Sequence, residues 1–217
     1  MTGARPYNVI ITGVGGQGNV LAARLLGSAL LKAGFETSVG DVFGLAQRGG
    51  SVASHIRFWQ GPALPPLVPR GKLDLVVGFE PLEALRVLAE YGHAGTHAIV
   101  NEVAVPPIGV LMGRTKYPAM DRLMADIGSL AAGALSLDAV ELSHRAGDAQ
   151  ALNMVMMGAL GGWGLMPLSA AELEEEMIGS LPVRFADTNR RAFRLGVEAA
   201  QRWARADGGV PRAPAEN

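Results

Sequence analysis

The feature that most constrains the fold of this chain is a glycine-rich turn between a predicted strand and a predicted helix. Residues 7–12 are apolar and largely β-branched, and residues 19–33 repeat leucine and alanine at helical spacing. The string GVGGQG between them satisfies the G-x-G-x-x-G pattern in the strand–turn–helix context that the pattern requires. This first glycine loop consists of Gly13, Val14, Gly15, Gly16, Gln17 and Gly18. A strand at residues 35–42 follows, so the chain opens as a doubly wound sheet with a right-handed parallel crossover.

The rest of the sequence continues this alternation of strands and helices. Strands are predicted at residues 51–59, 73–78, 98–101, 108–112 and 134–137, and helices at 81–90, 120–130 and 186–205. The fold class is therefore α/β, with a Rossmann-like, doubly wound, mostly parallel sheet flanked by helices and a helical C-terminal part. Residues 1–206 are expected to form a single domain of this kind. Residues 207–217 are polar and rich in Pro and Gly, which predicts a disordered tail.

One uncharged stretch, residues 149–171, is long enough to cross a bilayer. It contains Gln150, Asn153, Pro167 and the string GGWG at 161–164, so it predicts a short buried helix followed by a glycine turn. The formal net charge of −1 favours neither a nucleic acid nor a membrane as partner. Since the N-terminus also lacks the pattern of a leader peptide, a cytoplasmic location is expected.

The chain contains no cysteine, which excludes several kinds of chemistry from it. Disulfides, thiolate nucleophiles, zinc–thiolate sites and Cys-ligated iron–sulfur clusters all require this residue. The histidines show no metal-ligand spacing, and the hydrolase G-x-S-x-G elbow and the Walker A motif are absent. No metal site is therefore predicted on this chain. Any redox centre of its reaction must lie on a cofactor or on another chain.

The first glycine loop suits a phosphate ligand. Its glycines allow backbone N–H groups to approach a phosphate closely, and the N-terminus of the following helix adds partial positive charge. An alternative is that the glycines only let the helix and the strand pack closely. Another alternative is a stand-alone dehydrogenase that binds NAD(P) or a flavin nucleotide, because Asp41 stands near the distance at which an acidic residue binds the ribose.

A second glycine loop follows the second predicted strand and should lie at the same edge of the sheet. It consists of Gln47, Arg48, Gly49, Gly50 and Ser51. Arg48 could bind a phosphate through two hydrogen bonds, while the Gly-Gly backbone and Ser51 form an anion-binding nest. The alternative is a simple turn with a solvated Arg48. In the first case the two loops face one crevice, since α/β folds place ligands at the carboxyl ends of their strands.

Two longer strings resemble those of a known family. Residues 9–18 read VIITGVGGQG and residues 44–57 read GLAQRGGSVASHIR, and together they resemble the gamma module of the 2-oxoacid:ferredoxin oxidoreductases. The QRGGSVxSHxR pattern is similar to that of the small (beta) subunit in the indolepyruvate ferredoxin oxidoreductase branch. Further agreement is found at FEPLEA (79–84), Val100-Asn101, Tyr117-Pro118, Asn153-Met154 and residues 189–196. The resemblance covers about residues 7–200.

The resemblance implies a division of labour between chains. The large (alpha) subunit is expected to carry thiamine diphosphate, Mg²⁺ and [4Fe-4S] clusters. This chain is expected to bind none of them, to contribute no catalytic residue and to be inactive alone. The complex would convert an aryl 2-oxo acid such as indolepyruvate, with coenzyme A, into an arylacetyl-CoA, CO₂ and reduced ferredoxin. The partners of this chain would be the large subunit, coenzyme A and, through the complex, ferredoxin. The two loops would face coenzyme A, or residues 48–57 would only dock the large subunit.

Overall fold

The protein is built on a mixed, six-stranded sheet with the strand order β2-β3-β1-β4-β5-β6. The computed structural model describes residues 5–44, 50–106, 108–113 and 116–206. The strands are β1 (Tyr7–Val14), β2 (Glu36–Phe43), β3 (Ser51–Trp59), β4 (Leu75–Gly78), β5 (His97–Asn101) and β6 (Gly133–Leu137). The pairs β1–β4, β4–β5 and β5–β6 are parallel, whereas β3 is antiparallel to both of its neighbours. The predicted α/β class with a mostly parallel sheet is confirmed.

The position of β3 between β1 and β2 was not predicted from the sequence. β1 and β2 point in the same direction, but β3 lies between them and pairs with β1 up to Val14 opposite Ser51. On its other side β3 pairs with β2 up to Phe43 opposite Val52. The parallel crossover from β1 to β2 therefore joins two strands that are not neighbours. The cause is the short connection between β2 and β3, because closely joined strands pair antiparallel.

Helices cover both faces of the sheet. They are α1 (Asn19–Lys32), α2 (Pro81–Tyr91), α3 (Ile108–Leu111), α4 (Met120–Leu130), α5 (Ala139–Ala146), α6 (Leu152–Trp163), α7 (Ala170–Gly179) and α8 (Val183–Ala206), with a 3₁₀ turn at Ala149–Ala151. Val9 and Ile11 of β1 pack with α1 and the C-terminal helices, whereas Ile10 packs with α2 and α4. The sheet alternates its side chains between two apolar layers, as the period of a strand requires.

One of the predicted segments has a different conformation in the structure. The strand predicted at residues 108–112 is wrong, because the structure has the short helix α3 there. An apolar run of this length does not distinguish the two conformations by its periodicity. The helix predicted at 120–130 is confirmed as α4. The predicted tail at 207–217 lies outside the described residues and stays a prediction.

The buried helix α6 packs directly on the backbone of α8. A Cβ atom added to Gly158 of α6 would lie 1.9 Å from the carbonyl oxygen of Phe193 in α8. A Cβ atom added to Gly196 of α8 would lie 2.0 Å from the carbonyl oxygen of Val155 in α6. Both distances are far below van der Waals contact, so the two helices can approach this closely only with glycine at the crossing.

The predicted glycine turn in this region begins later than expected. Gly161 and Gly162 lie inside α6, and the turn is made by Gly164, whose φ is +75°. The prediction of a buried helix is confirmed, since every residue of α6 except Gly162 is buried. Among the described residues, no helix combines the length and the apolar character needed to cross a membrane.

Candidate functional site

The two glycine loops meet at the carboxyl edge of the sheet. The backbone N–H of Gly15 donates to the carbonyl oxygen of Gly50 at 2.9 Å. Ser51 begins β3 directly opposite Val14, the last residue of β1. The structure therefore brings the first loop together with Gly50 and Ser51, as the sequence predicted. The other predicted residues of the second loop, Gln47, Arg48 and Gly49, lie outside the described residues.

Glycine is required at two positions of the first loop for its backbone conformation. Gly16 and Gly18 have φ values of +109° and +86°, in the left-handed region that other residues rarely adopt. Gly18 also touches α6, since a Cβ atom there would lie 3.0 Å from Nδ2 of Asn153. Gly16 faces open space, with no atom within 4 Å of an added Cβ. The loop is therefore packed on its inner side and open on its outer side.

Gln17 fills the gap between the ends of β1 and β4. Its Oε1 accepts from the backbone N–H of Val14 at 2.7 Å, and its Nε2 donates to the carbonyl oxygen of Phe79 at 3.0 Å. A Cβ atom at Gly13 would lie 2.6 Å from the same Oε1, so Gly13 makes room for this carboxamide. Gln17 was predicted to contact a ligand, but both ends of its carboxamide are engaged by the loop and by β4.

An open cavity lies on the other side of the first loop, over the β2–β3 hairpin. Its volume is about 600 Å³. The lining residues come from the first glycine loop, the first turn of α1 and the ends of β2 and β3, namely Gly15, Gly16, Gly18, Asn19, Val20, Leu21, Phe43, Gly44 and Val52. Gln17 occupies the space between β1 and β4. The cavity that can hold a ligand therefore lies nearer to β2.

The N-terminus of α1 supplies positive potential to this cavity. Its N-cap residue, Gly18, has no side chain to accept from the first N–H groups, and its first turn contains no acidic residue. By contrast, α2 and α5, which begin at the same edge, are capped by Glu80 and Asp138. Asn19 is buried, and its Nδ2 has no acceptor in the described part of the chain. This end of α1 therefore offers donors without an acceptor and favours an anion.

Asp41 is not placed to bind a ribose. Its Oδ1 accepts from Oγ of Ser54 at 2.6 Å, and its Oδ2 lies 3.9 Å from a guanidinium nitrogen of Arg24. A dinucleotide fold places the acidic residue at the end of the strand next to the glycine-loop strand, a place taken here by β3. The geometry thus gives no support to the alternative of a dinucleotide-dependent dehydrogenase.

A buried polar cluster that the sequence did not reveal lies at the ends of β4 and β5. Glu80 is fully buried, and it accepts from the hydroxyl of Tyr117 and, at 2.9 Å, from the backbone N–H of Glu83. Burial raises the pKa of Glu80 above its ordinary value, although the Tyr117 hydrogen bond opposes this shift. Nδ2 of Asn101 donates to the carbonyl oxygen of Phe79, which also accepts from Gln17. The sequence signal was a polar residue at the end of each buried strand or close after it.

The surroundings of His55 and His97 indicate structural roles for these two histidines. Nδ1 of the buried His55 accepts from the backbone N–H of Val68 at 3.1 Å, and burial lowers the pKa of His55. His97 packs edge-on against Trp163. Within residues 5–44, 50–106, 108–113 and 116–206, no group of three or more His, Cys, Asp or Glu side chains is arranged to hold a metal ion.

Comparison with known proteins agrees with this architecture. The family model described as pyruvate ferredoxin/flavodoxin oxidoreductase matches residues 8–199. Indolepyruvate oxidoreductase subunit IorB of Thermococcus kodakarensis is 40% identical over 198 residues, which cover 91% of this chain and 97% of the relative. The chain therefore belongs to the pyruvate ferredoxin/flavodoxin oxidoreductase family. The predicted resemblance is confirmed, and so is the prediction of a subunit of a 2-oxoacid:ferredoxin oxidoreductase.

Solved structures share the fold. The gamma subunit of a keto/oxoacid ferredoxin oxidoreductase from Geobacter sulfurreducens superposes with a TM-score of 0.64 at 19% identity, over 89% of this chain and 98% of that one. A 2-oxoglutarate:ferredoxin oxidoreductase from Magnetococcus marinus, solved with 2-oxoglutarate, coenzyme A and succinyl-CoA bound, gives 0.66 at 16% identity. That match covers 98% of this chain but 33% of the other. In that protein the same fold is therefore one part of a longer chain.

Proposed function

We propose that this chain is the small subunit of an aryl 2-oxoacid:ferredoxin oxidoreductase and that it holds part of the coenzyme A site. The complex would decarboxylate indolepyruvate or a similar 2-oxo acid, pass the acyl group to coenzyme A and reduce ferredoxin. The substrate class is supported by the name of the Thermococcus relative and by the nearly complete overlap of the two chains. The partner would be a large subunit, in which bound thiamine diphosphate supplies the decarboxylation chemistry, with Mg²⁺, while [4Fe-4S] clusters carry the electrons away.

The observation that carries the coenzyme A part of the proposal is the uncapped N-terminus of α1 beside an open cavity. Coenzyme A is a nucleotide with phosphate groups, and the first glycine loop and α1 offer backbone donors without an acidic side chain. The Magnetococcus structure, which shares the fold, was solved with coenzyme A bound. In this chain the loop would bind and orient the nucleotide end of coenzyme A. Arg48 would add a cation from the second glycine loop.

A change of charge at Leu21 tests the coenzyme A site. Leu21 lines the cavity, is 44% exposed and stands in the first turn of α1, where a glutamate favours helix formation. We expect Leu21→Glu to leave folding and assembly intact but to raise the KM for coenzyme A about tenfold or more. A repulsion of about 1.4 kcal/mol between the new carboxylate and the phosphates of coenzyme A is enough for this change. The measurement is steady-state kinetics of the assembled complex at saturating 2-oxo acid.

Leu21→Gln is the matched control for this experiment, since it has the same size and no charge. It should leave the KM for coenzyme A within about threefold of the parent value, a difference of less than 1 kcal/mol. An unchanged KM in Leu21→Glu, in a complex of normal size, would contradict the coenzyme A site while leaving the assignment to an oxidoreductase subunit in place.

A substrate panel tests the proposed reaction. The chain is co-expressed with the large subunit of its own complex, and ferredoxin reduction is measured with aryl and alkyl 2-oxo acids in the presence of coenzyme A. We expect kcat/KM for indolepyruvate to exceed that for pyruvate by about tenfold or more, a difference of about 1.4 kcal/mol in transition-state binding. Equal values, or a complex without thiamine diphosphate and iron–sulfur clusters, would overturn the proposed reaction.

A further inference from the structure

Phe43 is the last residue of β2 and continues a row of side chains that faces α1. Val39 stands in this row against Gly27 of α1, where an added Cβ would lie 2.7 Å from a Val39 methyl group. Asp41, two residues further, reaches Arg24 of α1. Because side chains two apart share a face of a strand, Phe43 is the next member of the row. It lies beside the first turn of α1 and lines the cavity there.

Phe43 is the most exposed phenylalanine of this protein. It is 60% exposed, whereas the core phenylalanines Phe58, Phe79 and Phe193 are 2% exposed or less. Leu21, on the α1 side of the same cavity, is 44% exposed. Two exposed apolar side chains that face one cavity form a surface whose burial by a ligand is favourable.

The distance from Phe43 to the first glycine loop suits a nucleotide. Phe43, Val52 and Gly13 lie opposite one another on β2, β3 and β1. Two strand spacings separate the first from the last, which is about 10 Å between backbones. The ribose and phosphates of a nucleotide span a comparable length between its base and its outer phosphate. One ligand can therefore place an anion at the start of α1 and a flat ring on Phe43.

The cavity wall between these two points favours stacking over recognition by side-chain hydrogen bonds. Of the described residues that line the cavity, Val20, Leu21, Phe43 and Val52 are apolar, and Asn19, at the start of α1, has the only polar side chain. A purine offers a flat face to an aromatic ring, and loss of such a stacking partner by substitution with alanine weakens binding about five- to a hundredfold.

We infer that Phe43 forms a purine subsite on which the adenine ring of coenzyme A stacks, while its phosphates lie at the first glycine loop. This inference rests on the proposed coenzyme A site and adds the residue that binds the base. Phe43 acts in binding and does not take part in the chemistry at the thiol end of coenzyme A.

The experiment compares two thiols in the assembled complex. Coenzyme A carries the adenosine portion, whereas 4′-phosphopantetheine lacks it. Phe43→Ala should raise the KM for coenzyme A about tenfold and leave both kcat and the KM for 4′-phosphopantetheine unchanged. Phe43→Trp, which keeps an aromatic face, should restore the parent value for coenzyme A. Inhibition by adenosine 3′,5′-bisphosphate should weaken in Phe43→Ala by the same factor as coenzyme A binding.

Three results would overturn the inference. The KM for coenzyme A could stay unchanged in Phe43→Ala, or the KM could rise equally for both thiols. Phe43→Ala could also prevent assembly with the large subunit in size-exclusion chromatography, which would make the ring a subunit contact. If Leu21→Glu impairs coenzyme A binding and Phe43→Ala does not, the coenzyme A site holds and only the purine subsite is wrong. If neither variant changes the KM, both proposals are wrong.

Discussion

Gly196→Ala is expected to lower the free energy of unfolding by about 3 kcal/mol or more, because the added methyl group overpacks a tight crossing. The new Cβ would lie 2.0 Å from the carbonyl oxygen of Val155 and 2.8 Å from the backbone nitrogen of Ala159. Neither neighbour is the end of a flexible side chain, so α6 and α8 must move apart. Helix propensity alone predicts the opposite sign, since alanine is favoured over glycine by about 1 kcal/mol.

The measurement is urea denaturation of the isolated chain, followed by tryptophan fluorescence, to which Trp59 contributes beside Trp163 and Trp203. The rings of Trp163 and Trp203 lie 5.1 Å apart where α6 packs on α8, so they report on this crossing. Gly128→Ala in α4 is the matched control, because nothing lies within 4 Å of its added Cβ. That variant should be as stable as the parent or up to about 1 kcal/mol more stable. Equal effects of the two substitutions would contradict the backbone contact between α6 and α8.

The second large effect is expected at Gln17. Gln17→Leu keeps the approximate size of the side chain but removes the acceptor of the Val14 N–H. The carbonyl oxygen of Phe79 keeps Asn101 as a donor, so the main loss is the partly buried hydrogen bond from the Val14 N–H to the Gln17 side chain, about 1–3 kcal/mol. Because this bond fixes the shape of the first glycine loop, we also expect the KM for coenzyme A to rise at least about fivefold, or about 1 kcal/mol. The kcat should change less.

A double-mutant cycle with Gly13 tests the origin of this effect. Gly13→Ala should also be destabilising, since its Cβ would lie 2.6 Å from Oε1 of Gln17. Gly13→Ala combined with Gln17→Ala should cost less than the sum of the single changes, because the second removes the carboxamide that the first displaces. Gln201→Leu, an exposed position on α8, serves as the control. Strict additivity would show that Gly13 does not serve to accommodate Gln17.

Local sequence patterns predicted most of the elements but not how they are arranged. The helix α4 and the strand β3 coincide with their predicted bounds, since their apolar periodicity is strong. The place of β3 between β1 and β2 depends on pairing between distant segments, which periodicity does not report. Gly161 and Gly162 suggested a turn, but both lie in the helix α6, where Gly161 packs against α7 and Gly162 against α8. Packing between elements, rather than local sequence, determines both the position of β3 and the helical conformation of these glycines.

The candidate site, like the fold, was predicted from the sequence only in part. The first loop and the end of the second, Gly50 and Ser51, meet as the sequence suggested. The G-x-G-x-x-G pattern, however, treats Gln17 as a variable position, and its role depends on Phe79, a residue far away in the sequence. Glu80 and Tyr117 are similarly distant from each other, so their hydrogen bond follows only from the fold. Phe43 lies one residue beyond the strand predicted at 35–42, and its exposure and its neighbours follow only from the fold.

The full-length pairing of β3 with β1 also bears on how specificity can change in this family. All eight residues of β1 have partners in β3, and this register fixes Ser51 opposite Val14 whatever connects β2 to β3. Residues 45–49 can therefore vary in length and composition without displacing the first glycine loop. The side of the cavity that favours anions, formed by the first glycine loop and the start of α1, is kept when the connection between β2 and β3 changes.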